Sequence, residues 1–343
     1  MATEVRSGEP SVSDSRLDAK ANRILHRNNA QEIVKALADL EEHRAEFATR
    51  WLWELIQNAR DFPDESRPMT IRISVSPERI TFAHNGRDFT EDEILSLILH
   101  GSTKQSNPAQ LGKFGTGFLS THLLSKQVRV KGTLLDDDGV RKAFEFDLDR
   151  SGDDAGQVGE AMQGSLAALK RSLARSGIVP TDWTEYVYKT DETVDADELE
   201  SEFPFDAIPY ILVFDENVET IELRLWEKRA IYERAEIKEL DTGSRLTVIE
   251  GGDTANRFIV HEEDDIQAAV PVLERADGRY ELLLPGDVPR LFKFLPLVNS
   301  VNIGLPAVFH SPEFSTTENR DGLMFSAGGP HSDANKGLLT KAG

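Results

Sequence analysis

Three polar side chains stand at helical spacing in the run Trp51 to Asp61, WLWELIQNARD. At the helical period of about 3.6 residues, Glu54, Asn58 and Asp61 fall at i, i+4 and i+7 and stack along one stripe. Leu52, Leu55, Ile56 and Ala59 flank that stripe and can enter a core. A carboxylate, an amide and a second carboxylate are costly on a partly buried stripe unless they meet a metal, a water or a polar ligand. The same spacing describes the solvated stripe of an ordinary amphipathic helix, and this run alone does not separate the two. Downstream, Gly101 to Ser125 reads GSTKQSNPAQLGKFGTGFLSTHLLS. Gly112, Gly115 and Gly117 precede an apolar run, Phe118, Leu119, Leu123 and Leu124, that reads as a helix. Glycines let backbone N–H groups approach a ligand, and a helix N-terminus adds positive partial charge, so the pattern suits an anion such as phosphate. As a bare pattern GxxGxG is weak.

The elements that must position these groups follow from periodicity and punctuation. Residues 1–16 are polar and Ser-rich, a composition that predicts disorder. Leu17 to Thr49 reads as helix, broken or kinked near Asn28 and Asn29, and Pro63 stops the helix that carries the stripe. Met69 to Val75 and Arg79 to Ala83 alternate as a hairpin, HNGRDF follows as a glycine-bearing loop, and Thr90 caps a helix through Leu99. A second hairpin spans Lys126 to Leu148 around DDDG, and Leu166, Leu169 and Leu173 mark a short helix. Strands return at Glu219 to Trp226, Ala230 to Leu240 and Arg245 to Ile249, and a domain boundary is expected near Gly251.

Composition narrows the chemistry. A chain of 343 residues suits two domains, and no apolar run approaches a membrane span. The net charge of −21 argues against direct nucleic-acid binding and against docking on anionic membranes. There is no cysteine, so disulfides and thiol nucleophiles are excluded, which suits a cytoplasmic location. The N-terminal run has no apolar core of the kind a secretory signal carries. Eight histidines are scattered without metal-ligand spacing, and neither a Walker A sequence nor G-x-S-x-G occurs.

ELIQNARD followed by LGKFGTGFLSTHLLSKQVRVKG resembles the GHKL ATPases, the superfamily of gyrase, heat-shock-protein-90 chaperones, histidine kinases and MutL. The second box is especially similar to the heat-shock-protein-90 branch and to the sacsin-type ATP-binding domain. ITFAHNGRDFT and TGSRLTVI match two further boxes in order. The resemblance implies an α/β two-layer sandwich, a mixed, mostly antiparallel sheet covered by helices, over residues 17–250. Its lid would span about 100–117 and an insertion about 151–215. Residues 251–343 would begin a second, middle-type α/β module. A histidine-kinase reading is disfavoured, because no evident helical phosphoacceptor domain precedes the ATP fold.

By the same resemblance the cofactors are ATP and Mg²⁺. Glu54 takes the place of the general base that orients or deprotonates the attacking water, Asn58 that of the Mg²⁺ ligand, and Asp61 a supporting position. Ser102, Thr103 and Lys104 open the lid, and Gly112, Lys113, Phe114, Gly115, Thr116, Gly117 and Phe118 form the phosphate loop and its helix start. Ser244 stands for the strand hydroxyl near adenine. The departure lies in HNGRDF: His84 aligns with the Asp that reads the adenine amino group, Asn85 follows, Gly86 keeps the first glycine, and Asp88 replaces the second. Either His84 or Asn85 can accept a hydrogen bond, so which reads the base is open. Arg320, in STTENRDG, is the candidate for an arginine reaching the γ-phosphate from the second module. The expected function is slow Mg²⁺-dependent ATP hydrolysis driving lid closure and a conformational or dimerisation switch, with ATP/ADP and a possible homodimer as partners. The alternatives are a non-hydrolysing ATP switch module and the ATPase subunit of a DNA-repair or defence system.

Overall fold

A computed structural model of the chain describes residues 12–44, 49–100, 116–175, 177–190, 196–240, 243–251, 254–301, 303–317, 320–325 and 329–342. Helix α1 (Val12–Glu42) begins inside the tail expected to be disordered and runs unbroken past Asn28 and Asn29. Tertiary packing holds that stretch: Ala30 and Ile33 are fully buried against Val158 and Met162, and Asn29 Nδ2 donates to the Leu99 carbonyl at 2.8 Å. Then come α2 (Arg50–Arg60), β1 (Met69–Ser76), β2 (Arg79–His84), β3 (Phe89–Thr90), α3 (Glu91–Leu99) and the short α4 (Thr116–Leu119). The Thr90 capping box fixes the start of α3, with the Glu93 N–H donating to Thr90 and the Thr90 N–H to Glu93. Next are the hairpin β4 (Gln127–Leu135) and β5 (Arg141–Asp149), helix α5 (Ala155–Leu173) capped by Asp154, and β6 (Thr184–Lys189).

β6 corrects the expectation of an insertion over 151–215. It pairs with β2 on one side and β4 on the other, so this region supplies an interior strand of the sheet, and α5 packs on β5. After α6 (Ala196–Ser201) and the fully buried α7 (Ile208–Phe214) the chain crosses to the far side of β1 as β7 (Val218–Leu225). It continues as β8 (Lys228–Glu239), β9 (Ser244–Gly251), β10 (Thr254–Glu263), β11 (Ile266–Glu274), β12 (Tyr280–Leu282), β13 (Leu291–Lys293), β14 (Leu295–Pro296), β15 (Val308–His310) and α8 (Pro330–Ala342). Among the described residues the sheet runs β14-β13-β15-β11-β10-β9-β8-β7-β1-β2-β6-β4-β3, with β12 on β11 and β5 on β4. Among the described strands only β1–β7, β3–β4 and β13–β15 are parallel, so the expected mixed, mostly antiparallel sheet is the one observed. Gly251 pairs with Thr254 at the tip of the β9–β10 hairpin, so the break expected at 251 falls inside continuous sheet.

The two-residue side-chain alternation divides the sheet into faces. Ile71 and Ile73 of β1, Phe82 and His84 of β2, and Thr184 and Tyr186 of β6 lie on the face that the helices cover, all buried. The other face carries ion pairs such as Arg72–Glu222 and Arg129–Asp147 toward solvent.

Candidate functional site

Helix α2 presents the stripe to the interior. Trp51, Leu52, Leu55, Ile56 and Ala59 are buried and anchor the helix, each large side chain worth about 1.5–3 kcal/mol of burial. Asn58 is 4 % exposed, and among the described residues its Nδ2 finds no hydrogen-bond partner. A buried amide left unbonded by the protein is costly, and it fits a group awaiting a polar ligand. Asp61 is also mostly buried with an unbonded Oδ2, and burial pushes its carboxyl up to about 7. The positive charges of Arg60 and Arg320 oppose that rise, whereas Asp215 and Glu54 add to it. Arg60 is itself pinned, with Nε 2.5 Å from Asp215 Oδ2 and its guanidinium 3.5 Å from the Phe294 ring centroid.

Glu54 lies between two features. On one side its carboxylate meets the start of α4 so closely that a Cβ on Gly117 would stand 2.1 Å from Glu54 Oε2. Only glycine admits that approach. On the other side Glu54 lines a cavity of about 320 Å³ between α2 and the segment from β13 to Asp321. Arg50, Arg60, Lys293 and Arg320 bring four positive charges to this cavity, against the carboxylates of Glu54 and Asp321, so it favours an anion. Arg50 Nε sits 3.4 Å from Glu54 Oε1. Lys293 Nζ donates to the Phe314 carbonyl at 2.6 Å, and burial, then the neighbouring Arg320, lowers its pKa. Arg320 sits in a turn at φ +55°, its N–H donating to the Thr317 carbonyl at 3.0 Å. Among the described carboxylates none forms an ion pair with it.

At the end of β2 the two candidates for reading a base differ in what they have left to offer. The Asn85 amide is engaged at both ends: its Oδ1 accepts from the Thr70 N–H at 2.6 Å and its Nδ2 donates to the Pro68 carbonyl at 3.2 Å. His84 is 3 % exposed, stacks on Tyr186, and accepts the Gly86 N–H on Nδ1 at 3.2 Å. Burial pushes its pKa down to about 3, so the ring is neutral. Gly86 is required sterically, since a Cβ there would stand 2.2 Å from the Phe62 carbonyl oxygen. Asp88, where the resemblance leads one to expect a glycine, is held by Arg141 through two bonds of 2.6 and 3.0 Å.

Glu54 and Asn58 thus share α2, with Asp61 at its C-cap and Gly117 against Glu54, and Arg320 joins Glu54 at the cavity. Phe118 packs on Tyr186, 5.7 Å between ring centroids, which links α4 to the strand beside His84. Ser244 is not brought to this group: β8, β7 and β1 separate its strand from β2, and its Oγ lies 3.0 Å from His261 Nδ1. Ser102, Thr103, Lys104, Gly112, Lys113, Phe114 and Gly115 lie outside the described residues, and of Thr116 only the backbone, within α4, is described. Two residues escaped the sequence reading. Thr184 is buried on β6 directly across from His84, and the alternation in TEYVYK could have exposed it had 151–215 not been set aside as an insertion. Lys293 carried no local signal.

No family model and no curated protein matches the chain. Among solved structures it is similar to the B-subunit of the DNA gyrase from Myxococcus xanthus, at 8% identity and a TM-score of 0.46, over 89% of this chain and 94% of that one. It is also similar to the 43K ATPase domain of Thermus thermophilus gyrase B in complex with an aminocoumarin, at 14% identity and a TM-score of 0.40, over 79% and 69%. Likenesses this loose carry nothing about activity.

Proposed function

We propose that the chain binds Mg²⁺ with ATP or a closely related purine nucleoside triphosphate and hydrolyses it slowly, as a GHKL-type switch. The observation that supports this best is the position of Glu54, pressed against Gly117 on one side and open to a cation-lined cavity on the other. Glu54 would orient and deprotonate the attacking water. Asn58 would hold Mg²⁺ through its amide oxygen, as suits an ion that takes oxygen ligands and few of them from the protein, while its buried, unbonded Nδ2 would be left to donate to a polar group of the ligand. When bound, Mg²⁺ would neutralise charge on the phosphate oxygens. Asp61 supports the site from the next turn. Gly112 to Phe118 face the phosphates in this reading, with Ser102, Thr103 and Lys104 opening a lid whose closure drives the conformational or dimerisation change. Arg320 and Lys293 are the cations that would meet the γ-phosphate across the cavity.

A second reading, nucleotide as a switch ligand without turnover, is favoured by the Arg50 side chain that already lies beside Glu54. The two separate on Glu54→Ala. Hydrolysis requires that this variant keep nucleotide affinity and lose turnover by about 10²–10⁴-fold. Wild-type protein with no phosphate release above background would leave only the switch ligand.

A further inference from the structure

The cavity against α2 is furnished for more than a phosphate. Its wall is apolar over the consecutive run Phe294, Leu295, Pro296, Leu297 and Val298, and Trp53 lines it from α2. A phosphate oxygen gains nothing from such a wall, whereas an apolar body gains from every part of it removed from water. The charges at the cavity divide into those already paired and those left over. Arg60 is held by Asp215 and Arg50 by Glu54, and the Asp321 carboxylate accepts from Asn299 Nδ2 at 3.0 Å and from Thr317. Lys293 donates to the Phe314 carbonyl, which carries no net charge, and among the described residues neither Lys293 nor Arg320 has a carboxylate at ion-pair distance. Asp61 feels the charge of Arg320, but burial, which raises its carboxyl to about 7, weakens it as a counter-ion. Trp53 adds a buried Nε1–H with no acceptor among the described residues. In a chain of net charge −21, two cations left over beside an apolar wall favour an anion that carries an apolar body. At about 320 Å³ the cavity lies within the range of sites for small organic molecules.

We propose that this cavity is a regulatory site for a small organic acid, a carboxylate on an aromatic or branched aliphatic body, which seats its charge on Arg320 and Lys293 and its body on Trp53, Phe294 and Leu297. Binding there ties α2 to the segment from β13 to Asp321 and occupies the two cations assigned above to the γ-phosphate. The acid therefore opposes a nucleoside triphosphate and spares a diphosphate. The site itself stands without the nucleotide reading, whereas the antagonism rests on that reading and adds regulation to it.

The test is calorimetric titration of the full chain with naphthoate, with its neutral counterpart naphthalene methanol, and with inorganic phosphate. Naphthoate should bind at least about 10-fold more tightly than the alcohol, the ratio for a charge-assisted hydrogen bond that only the acid makes. It should exceed phosphate by at least about as much, through the apolar surface it buries. Arg320→Gln and Lys293→Gln should each weaken naphthoate about 5-fold or more and leave the alcohol unchanged, in proteins whose thermal melts match the wild type. Naphthoate that binds no better than the alcohol, or no better than phosphate, overturns the proposal, and this comparison needs no variant to fold. Wild-type naphthoate affinity in both folded variants also overturns it. With Mg²⁺ present, saturating naphthoate should then weaken ATP binding about 5-fold or more and leave ADP binding unchanged. Naphthoate that binds as expected but leaves ATP affinity unchanged overturns the regulatory role and takes Arg320 and Lys293 away from the γ-phosphate. Naphthoate binding as expected while neither nucleotide binds supports the acid site and removes the nucleotide reading.

Discussion

Asp61 carries a pH dependence whose sign follows from burial. Its carboxyl ordinarily titrates at 3.8 and in the fold at about 7, so the native state retains the proton where the unfolded chain has lost it. The stability this contributes is fully present below pH 3.8 and is lost as pH rises toward 7. Asp61→Asn, which imitates the protonated acid, should flatten the thermal midpoint between pH 5 and 8, and an unchanged pH profile would show that Asp61 does not carry the effect. Asn58 is tested by binding. Asn58→Ala should leave the fold intact and weaken Mg²⁺–nucleotide binding by about 1.5–3 kcal/mol, the scale of a contact to a charged group. Equal affinity with and without the amide would remove it from the metal's coordination. Both residues were legible in the sequence because a stripe at i, i+4 and i+7 is a local property of one helix. The commitment of His84 and Asn85 was not, because their partners include Gly86 on the same turn but also Thr70 and Pro68 on the preceding strand and loop.

The contact between α2 and α4 makes a prediction about two elements. A methyl group on Gly117 would meet the whole carboxylate of Glu54, with Cδ at 2.6 Å and the two oxygens at 2.1 and 2.8 Å. The carboxylate is the end of a flexible side chain, so Gly117→Ala should move it aside and change stability by less than about 1 kcal/mol. With Glu54 as the proposed base, turnover should nevertheless fall, since a base displaced by an ångström no longer addresses its water. Steady-state phosphate release beside a thermal melt distinguishes this from unfolding. Loss of stability by several kcal/mol would mean that Glu54 cannot yield and that the contact is structural. The helices and hairpins were legible wherever a cap or a turn punctuated them, as Thr90 does for α3 and Gly139 for the β4–β5 turn. β6 was hidden because a strand of TEYVYK acquires its meaning from β2 and β4 on either side.

At the scale of the whole molecule, the cavity joins α2 to residues more than two hundred positions later, and its cations belong to both. Arg320→Ala and Lys293→Ala should each slow hydrolysis while leaving nucleoside diphosphate affinity unchanged, because the γ-phosphate is what they are proposed to meet. Stopped-flow turnover with a parallel diphosphate titration checks both. Diphosphate binding that weakens as much as triphosphate binding would move them away from the γ-position. Arg60 ties the same two regions together, through Asp215 before β7 and Phe294 between β13 and β14.

What the sequence determined by itself was everything that rests on spacing within one element: the stripe on α2, the two hairpins, one of them around DDDG, and the capped α3. The excess of acidic residues and the lack of cysteine likewise set limits that no fold could change. The tertiary structure alone decided which distant segments share a face. It put Thr184 rather than Ser244 across from His84, because strand order is set by pairing between residues far apart in the chain. It brought Lys293 to the cavity that Glu54 lines, since a short strand carries no periodic signal of what lies opposite. It also assigned the lone pairs of His84 and Asn85, because a side chain's hydrogen bonds depend on which backbone groups the folded chain leaves within reach.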